Sequence, residues 1–477
     1  MSDTAKENPF GWTDALIEDC FAPLEDGRTM HQGWSPQCEK HASPSDDVWG
    51  VLKTTSIQAG EFQPEHNKRL PNSLKPRPLI EVKPGDILIT CAGPRVRCGV
   101  SCLVRNTRPR LMMSGKMYRF RVPADRVDPR YVEAFLQTEE ARQSIDKMKT
   151  GSSESGLNLT HNRFRQLSIP VAPYLEQRRI VAEIEKQFTR LEAGVAALKR
   201  VQANLKRYRA AVLKSACEGK FVPTEAELAK KEKRTYETGE ELLKRILAER
   251  RKNWNGRGTY KDPVELNCDE KLSTLPTSWT RTSLDCLVEK ITDGEHLSPK
   301  KTKDGMMLLT ATHITDRGVV FVDPQFVSVE EGKSFRQRCD PRRGDVLICS
   351  RGTIGRCAIV NSDEIFCLMG SVILVRIMKE LCPEYFNYFL STNWAQEQMR
   401  GLSGATAVQA LYLKDIRRCP IALPPIVEQK RIVKEVDRRL SIIDELEVVV
   451  KLNLDRATRL RQSILQKAFS GRLYVNS

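Results

Sequence analysis

Histidine and the aromatic residues are scarce in this chain, and long apolar runs are missing. Six of the 477 residues are histidine, and Phe, Trp and Tyr together make up 6%. No stretch approaches the ~18 uninterrupted apolar residues of a membrane span, so no membrane partner is expected. There is no G-x-x-x-x-G-K-[ST] loop to cradle a nucleotide phosphate. There is no F-x-G-x-G cofactor turn and no N/D-P-P-Y/F tetrad. Asn8-Pro9-Phe10 is one residue short of the latter. No P-D…(D/E)-x-K nuclease core stands out, and no Ser, His and Asp have an activating context. C-x-x-C is also missing. The 14 cysteines are irregularly spaced, as expected of free thiols packed as small hydrophobes in a reducing compartment. Cys38-x-x-His41, with His31 nearby, comes nearest to a metal-ligand cluster. It has no second pair at zinc-finger spacing, so neither a metal nor a cofactor is expected. The opening residues, MSDTAKENPF, lack a charged-then-apolar signal pattern, so a cytoplasmic location is expected.

What is present is ordinary apolar content and an excess of positive charge. Hydrophobic residues make up 40% and charged residues 29%, enough for several buried cores in about three units of ~150 residues. Lys and Arg number 77 against 61 Asp and Glu, a formal charge of +16. Either this is a basic solvated surface, or the partner is a polyanion, nucleic acid before membrane.

The chain repeats itself. Pro84-Gly85-Asp86-Ile87-Leu88-Ile89 recurs as Arg343-Gly344-Asp345-Val346-Leu347-Ile348, and Arg97-Cys98 as Arg356-Cys357, both at an offset of 259. Trp12 and Asp26-Gly27 match Trp279 and Asp293-Gly294. Pro129-x-Tyr131 with Phe135-Leu136-x-Thr138 matches Pro383-x-Tyr385 with Phe389-Leu390-x-Thr392. From about residue 157 the offset holds at 252: Pro173, Glu176-Gln177 and Arg179-Ile180-Val181 match Pro425, Glu428-Gln429 and Arg431-Ile432-Val433. A drifting offset marks small insertions, which loops tolerate and cores do not. Each half is one variable domain followed by one rigid element of fixed length.

The rigid element reads as a long helix. Ile184, Phe188, Leu191, Val195 and Leu198 form a heptad seam that resumes, after a skip, at Leu205, Tyr208 and Val212. Val436, Leu440, Ile443, Val450, Leu454, Ala457, Leu460 and Ile464 occupy equivalent places. Pro173 and Pro425 stand just before each helix, and Gly219 and Gly471 follow the last turns. The two helices either pack separately on their own domains or pair with each other. Equivalent narrow seams favour pairing. The domain before each helix reads mainly as strands, at 86–90, 115–122, 345–349 and 371–377, with a short helix at 129–143 and at 383–399. The class is α+β. Residues 223–274 read as a charged linker with a solvated helix.

Charge is the informative signal for function. Between Ile87 and Ala124 there is no acid, yet the stretch holds Arg95, Arg97, Arg105, Arg108, Arg110 and Lys116, then Arg119 and Arg121. The second half offers Lys300, Lys301, Arg351 and Arg356. Such a run is either a solvated strand face or a surface neutralised by phosphate, and arginine also suits the O6/N7 edge of guanine. Arg95, Arg97, Arg351 and Arg356 are expected to face DNA. Glu176, Gln177, Glu428 and Gln429 form the second signal. Either the acids complement the dipole of the first helical turn, or the group docks a partner subunit.

These residues resemble a known family. Two repeats, each ending in P-x-x-E-Q-[RK]-R-I-V and a long helix closed by glycine, look like the specificity subunit of type I restriction–modification systems. The G-D-[IV]-L-I strands, the following R-C and Pro276-x-x-Trp279 fit as well, and the resemblance covers roughly residues 10–475. It is weakest between Thr29 and Val48. It implies two mixed, strand-rich DNA target recognition domains, 1–170 and 275–422. It also implies two long antiparallel coiled-coil helices, 171–222 and 423–477, in a pseudo-twofold tandem repeat. Such a subunit has no catalytic residues of its own. Its implied partners are double-stranded DNA, two methyltransferase (modification) subunits and restriction subunits. The two domains differ in sequence, so the expected target is bipartite and asymmetric. Helices of matched length would set its gap. The competing readings are a single-chain methyltransferase or nuclease with a divergent site, and a coiled-coil scaffold that binds nucleic acid without sequence preference.

Overall fold

The computed structural model describes residues 9, 11–254, 259–264, 266, 275–402 and 410–473. The start of the first domain, residues 403–409 of the second, most of the linker stretch 255–274 with Cys268 within it, and residues 474–477 of the expected segment 423–477 lie outside the described residues. The chain forms two compact units, Met1–Lys199 with Lys451–Ser477, and Arg200–Val450.

In the first unit the central sheet has strands β1 (Met30–Gln32), β2 (Ile87–Thr90), β3 (Ser101–Leu103) and β4 (Met117–Phe120), in the order β1-β4-β2-β3 with every pair antiparallel. Both faces of β2 are covered. Ile87 and Ile89 share a core with the helix Pro129–Leu136, while Leu88 packs with Val51, Cys102 and Met112. Double coverage explains why the strand reads as an unbroken apolar run.

The second unit repeats this plan with β5 (Val288–Asp293), β6 (Val346–Cys349), β7 (Cys357–Ile359) and β8 (Val372–Ile377), ordered β5-β8-β6-β7. The G-D-[IV]-L-I motif builds the entry to β2 and β6. Gly85 and Gly344 both sit at φ 90°, where a side chain would be strained. The next residue closes the turn with its own carboxylate. Asp86 accepts the Lys83 amide at 2.7 Å and Asp345 the Arg342 amide at 2.9 Å. Both aspartates are buried and take an arginine, Arg121 Nε just past β4 at 2.6 Å and Arg376 Nε in β8 at 2.9 Å.

The single short helix expected in each half is two helices. Pro129–Leu136 is followed by Glu139–Met148, and Pro383–Leu390 by Asn393–Leu402. Thr138 and Thr392 cause the break, because their hydroxyls accept the amides of Ala141 and Ala395 and so start a new helix.

The long helices are α1 (Tyr174–Cys217) and α2 (Ile426–Ala468). Each ends on a glycine at φ 69°, Gly219 or Gly471, and the next amide returns to the last turn, Lys220 to Ser215 and Arg472 to Lys467. Within each unit, segments of the two helices run antiparallel. In the first, Arg461 lies over the Phe188 ring and 3.2 Å from Glu192, while Ile464, Leu465 and Ala468 share a core with Ile180, Val181 and Ile184. In the second, Arg209 pairs with Asp444, and Arg439 lies over the ring of Phe221, beyond the end of α1. The seam is buried at Ile184, Leu205, Val212, Val436, Ile443, Val450, Ala457 and Ile464. Tyr208 and Leu460, expected in it, are about half exposed. Tyr208 turns its hydroxyl toward Arg439 instead.

The linker helix Gly239–Lys252 is not merely solvated. Its Leu242 and Ile246, four residues apart on one face, are wholly buried in the core of the second unit. Among the described residues every cysteine is free, and most are buried. Burial pushes the thiols of Cys20, Cys349 and Cys367 up to about 11, which keeps them protonated at neutral pH. Among the described residues no helix is long and apolar enough to cross a membrane.

Candidate nucleic-acid interface

The candidate surface depends on how each strand-rich domain is fixed to the start of its long helix. Gln177 and Gln429, in the first turns of α1 and α2, are buried. Gln177 Oε1 accepts the Asp128 amide at 2.9 Å, and its Nε2 donates to Ala172 O at 2.8 Å. Gln429 repeats both contacts with the Cys382 amide and Pro424 O. The tyrosine of P-x-Y lies across the same joint. Tyr131 donates to Pro170 O and Tyr385 to Ala422 O, while Trp12 and Trp279 meet them edge-on at 6.4 and 6.3 Å.

Glu428 is buried too, accepting the Trp279 indole N–H at 2.7 Å. Burial pushes its carboxyl up, against the pull of the backbone N–H and indole donors. Of the four residues expected to dock a partner, only Glu176 is partly exposed. The sequence pattern is therefore chiefly the mark of an internal joint.

The arginines of the acid-free run are not left unrelieved, because the fold brings acids to them from elsewhere. Arg95, at the loop between β2 and β3, is clamped by Asp146 at 2.6 Å and Glu154 at 2.8 Å, which hold its guanidinium firmly charged. Arg97 turns inward and donates to the carbonyls of Thr54 and Ile57 and to the side-chain Oε1 of Gln58. Its burial lowers its pKa. Arg105 pairs with buried Glu133 at 2.6 Å and sits in a different cleft, beside Arg130 and Glu185. Arg108 donates to Val48 O at 3.3 Å and Arg110 to Asp47 O. Arg119 is buried against Asp86, Glu25 and His31. In the second unit Arg356 stands 3.5 Å from Asp316.

The cations left over are fewer. Lys116, Lys300, Lys301 and Arg351 are exposed and carry no ion pair among the described residues. Arg142 and Lys147, on the helix Glu139–Met148, are likewise exposed and unpaired among them. Sequence reasoning missed these two because acids precede them and the repeat gives them no counterpart motif. The fold brings both to the loop between β2 and β3. With Arg95, Arg97, Lys149, Gln58 and Gln143 they line an open cleft of about 720 Å³. Val96, at the loop tip, is 82% exposed. Glu139 and Asp146 line it too, and Gln58 and Gln143 already bond Thr55 O, Arg97 and Glu139, so Arg142 and Lys147 are the groups left for phosphate. Arg351 occupies the corresponding loop between β6 and β7.

Comparison with known proteins places this architecture. Residues 296–450 match the type I restriction modification DNA specificity domain. The type I restriction enzyme EcoEI specificity subunit of Escherichia coli is 40% identical over 190 residues, which is 39% of this chain and 31% of that protein. The EcoKI specificity subunit of E. coli strain K12 is 22% identical over 98% of this chain and 91% of its own length. The chain thus spans about a third of the first relative and most of the second. A chain from a solved structure of type I R-M system complex assembly and conformational transition superposes with a TM-score of 0.63 at 20% identity, covering 98% of this chain and all of that one.

Proposed function

We propose that this chain, similar to type I restriction–modification specificity subunits in one domain and along its length, is the DNA-reading subunit of such a complex. The first domain, 1–170, reads one short half-site, and the second, 275–422, reads another. Phosphate contacts set the register and base-edge contacts in the loop clefts specify. The chain is not itself an enzyme. It positions two methyltransferase subunits, and restriction subunits join that core in the cytoplasm.

One observation carries this reading. Both units use the same internal joint, with Gln177 and Gln429, Tyr131 and Tyr385, and Asp86 and Asp345 in matching roles, while the loops they present differ. A constant mount with a variable tip is what two independent readers of unlike sequence require. Of the predicted DNA contacts, Lys116, Lys300, Lys301 and Arg351 are free to approach phosphate directly. Arg95 does so only by sharing its acids. Arg97, Arg105, Arg108 and Arg110 support the loops.

The test is exchange of residues 10–165 for the same region of a relative, with the methylated motif then read base by base in host DNA. One half-site should change and the other persist. A change in both would refute independent readers. Binding of S-adenosylmethionine by the isolated chain would favour the single-chain methyltransferase instead.

A further inference from the structure

The two joints differ in one respect. In the second unit the joint is covered by the chain's own linker. Thr224 caps the short helix Glu225–Glu232, and the first-turn acid Glu225 is buried against the start of α2. The Glu225 amide donates to Glu428 Oε2 at 2.8 Å, and its carboxylate pairs with Arg431 and Arg234, each at 2.5 Å. Arg431 also reaches Pro223 O at 3.4 Å. Glu428 is then shared between the Glu225 amide and the Trp279 indole. The Trp279 indole, the Glu428 carboxylate and both carboxylate oxygens of Glu225 all have partners in the linker or across the joint, while Arg431 Nε has none.

Among the described residues the first unit has the same corner without a cover. Trp12, Glu176 and Arg179 stand where Trp279, Glu428 and Arg431 stand, and the Trp12 ring meets Tyr131 as Trp279 meets Tyr385. Among the described residues neither the Glu176 nor the Arg179 side chain makes a hydrogen bond or ion pair, and Arg179 is exposed. The Trp12 indole nitrogen is buried in a residue only 6% exposed and has no hydrogen-bond partner among them. A buried N–H without an acceptor is costly, so the corner is complementary to something that brings Glu176 inward.

We propose that this corner is a docking site for a second polypeptide, which inserts the N-terminal turn of a helix carrying a first-turn carboxylate. The chemistry is that of the linker in the other unit. The incoming carboxylate pairs with Arg179. The incoming amide engages Glu176, which swings onto the Trp12 indole. Charge complementarity selects the ligand, because the corner offers one free guanidinium and one free carboxylate at the spacing that a helix N-terminal acid and its amide satisfy. The site lies on the one predicted docking residue left accessible. It does not depend on how the loops read DNA.

The test uses the full chain and a synthetic peptide of residues 221–234, the segment that fills the equivalent corner. The reporter is the Trp12 indole ¹H–¹⁵N resonance, assigned by its loss in Trp12→Phe. Saturable movement of that resonance is expected. It should weaken at least about tenfold with Arg179→Met in the chain and with Glu225→Gln in the peptide. Arg179→Lys should recover part of the effect. A resonance unmoved by millimolar peptide overturns the proposal, and so does movement indifferent to both substitutions. A bonded shift present without peptide and independent of protein concentration overturns it as well, because the chain's own residues then fill the corner, whereas one that grows with protein concentration supports it and makes a second copy the polypeptide.

Discussion

Gln177 holds Asp128 by accepting its backbone amide at 2.9 Å inside the core of the first unit, and so ties the helix start to the strand-rich domain. Replacing Gln177 with Leu keeps the volume but strands that amide and the Ala172 carbonyl. The variant should lose about 1–3 kcal/mol of stability. Denaturant unfolding of the full chain should show the loss in the transition of the first unit. Gln429→Leu should move the second transition instead. An equal effect of either variant on both transitions would mean that the joints are not local.

Arg351 and Arg97 should behave oppositely, although the sequence presents them as similar. Arg351→Ala removes an exposed, unpaired cation. It should weaken DNA binding by the assembled complex and lower the slope of log affinity against log salt by about one. Arg97→Met removes donors to the Thr54 and Ile57 carbonyls. It should cost about 1–3 kcal/mol of stability and leave the slope unchanged. Binding titrations over a range of salt, beside thermal unfolding, separate the two outcomes.

The linker helix is predicted to be part of a core. Leu242 is fully buried, so Leu242→Ala should destabilise the second unit by about 2–5 kcal/mol. An alanine scan of exposed Glu240 and Lys244 should change little. Circular dichroism melts of the three variants are sufficient.

Asp340 gives a pH signature. Burial opposes its ionisation, but Lys290, Arg376 and Arg342 outweigh burial and hold its carboxyl down to about 2 from an ordinary 3.8. A folded-state pKa below the unfolded one stabilises fully above the unfolded value and is lost as pH falls through the folded one. Asp340→Asn should therefore be less stable than wild type at neutral pH. The gap should narrow below about pH 4 and close near pH 2. A gap that persists at pH 2 would assign the effect to packing.

The tandem repeat, the two long helices and the buried strands were legible from the sequence because each rests on local pattern. Glycines at fixed places close turns and helix ends. Heptad spacing writes a helix face, and an unbroken apolar run such as Ile87-Leu88-Ile89 marks a strand covered on both sides. The matching of Glu176-Gln177 to Glu428-Gln429 was visible as well. Its meaning was not, because Gln177 could be a surface contact or an internal tie until the Asp128 amide was seen above it. The tertiary structure also decided which arginines are free. Coulomb energy depends on distance in space, and Asp146, Glu154 and Glu133 lie far along the chain from Arg95 and Arg105 but next to them once folded. That is why an acid-free run of sequence became a largely neutralised surface, and why Arg142 and Lys147, unmarked in the sequence, came to line the cleft.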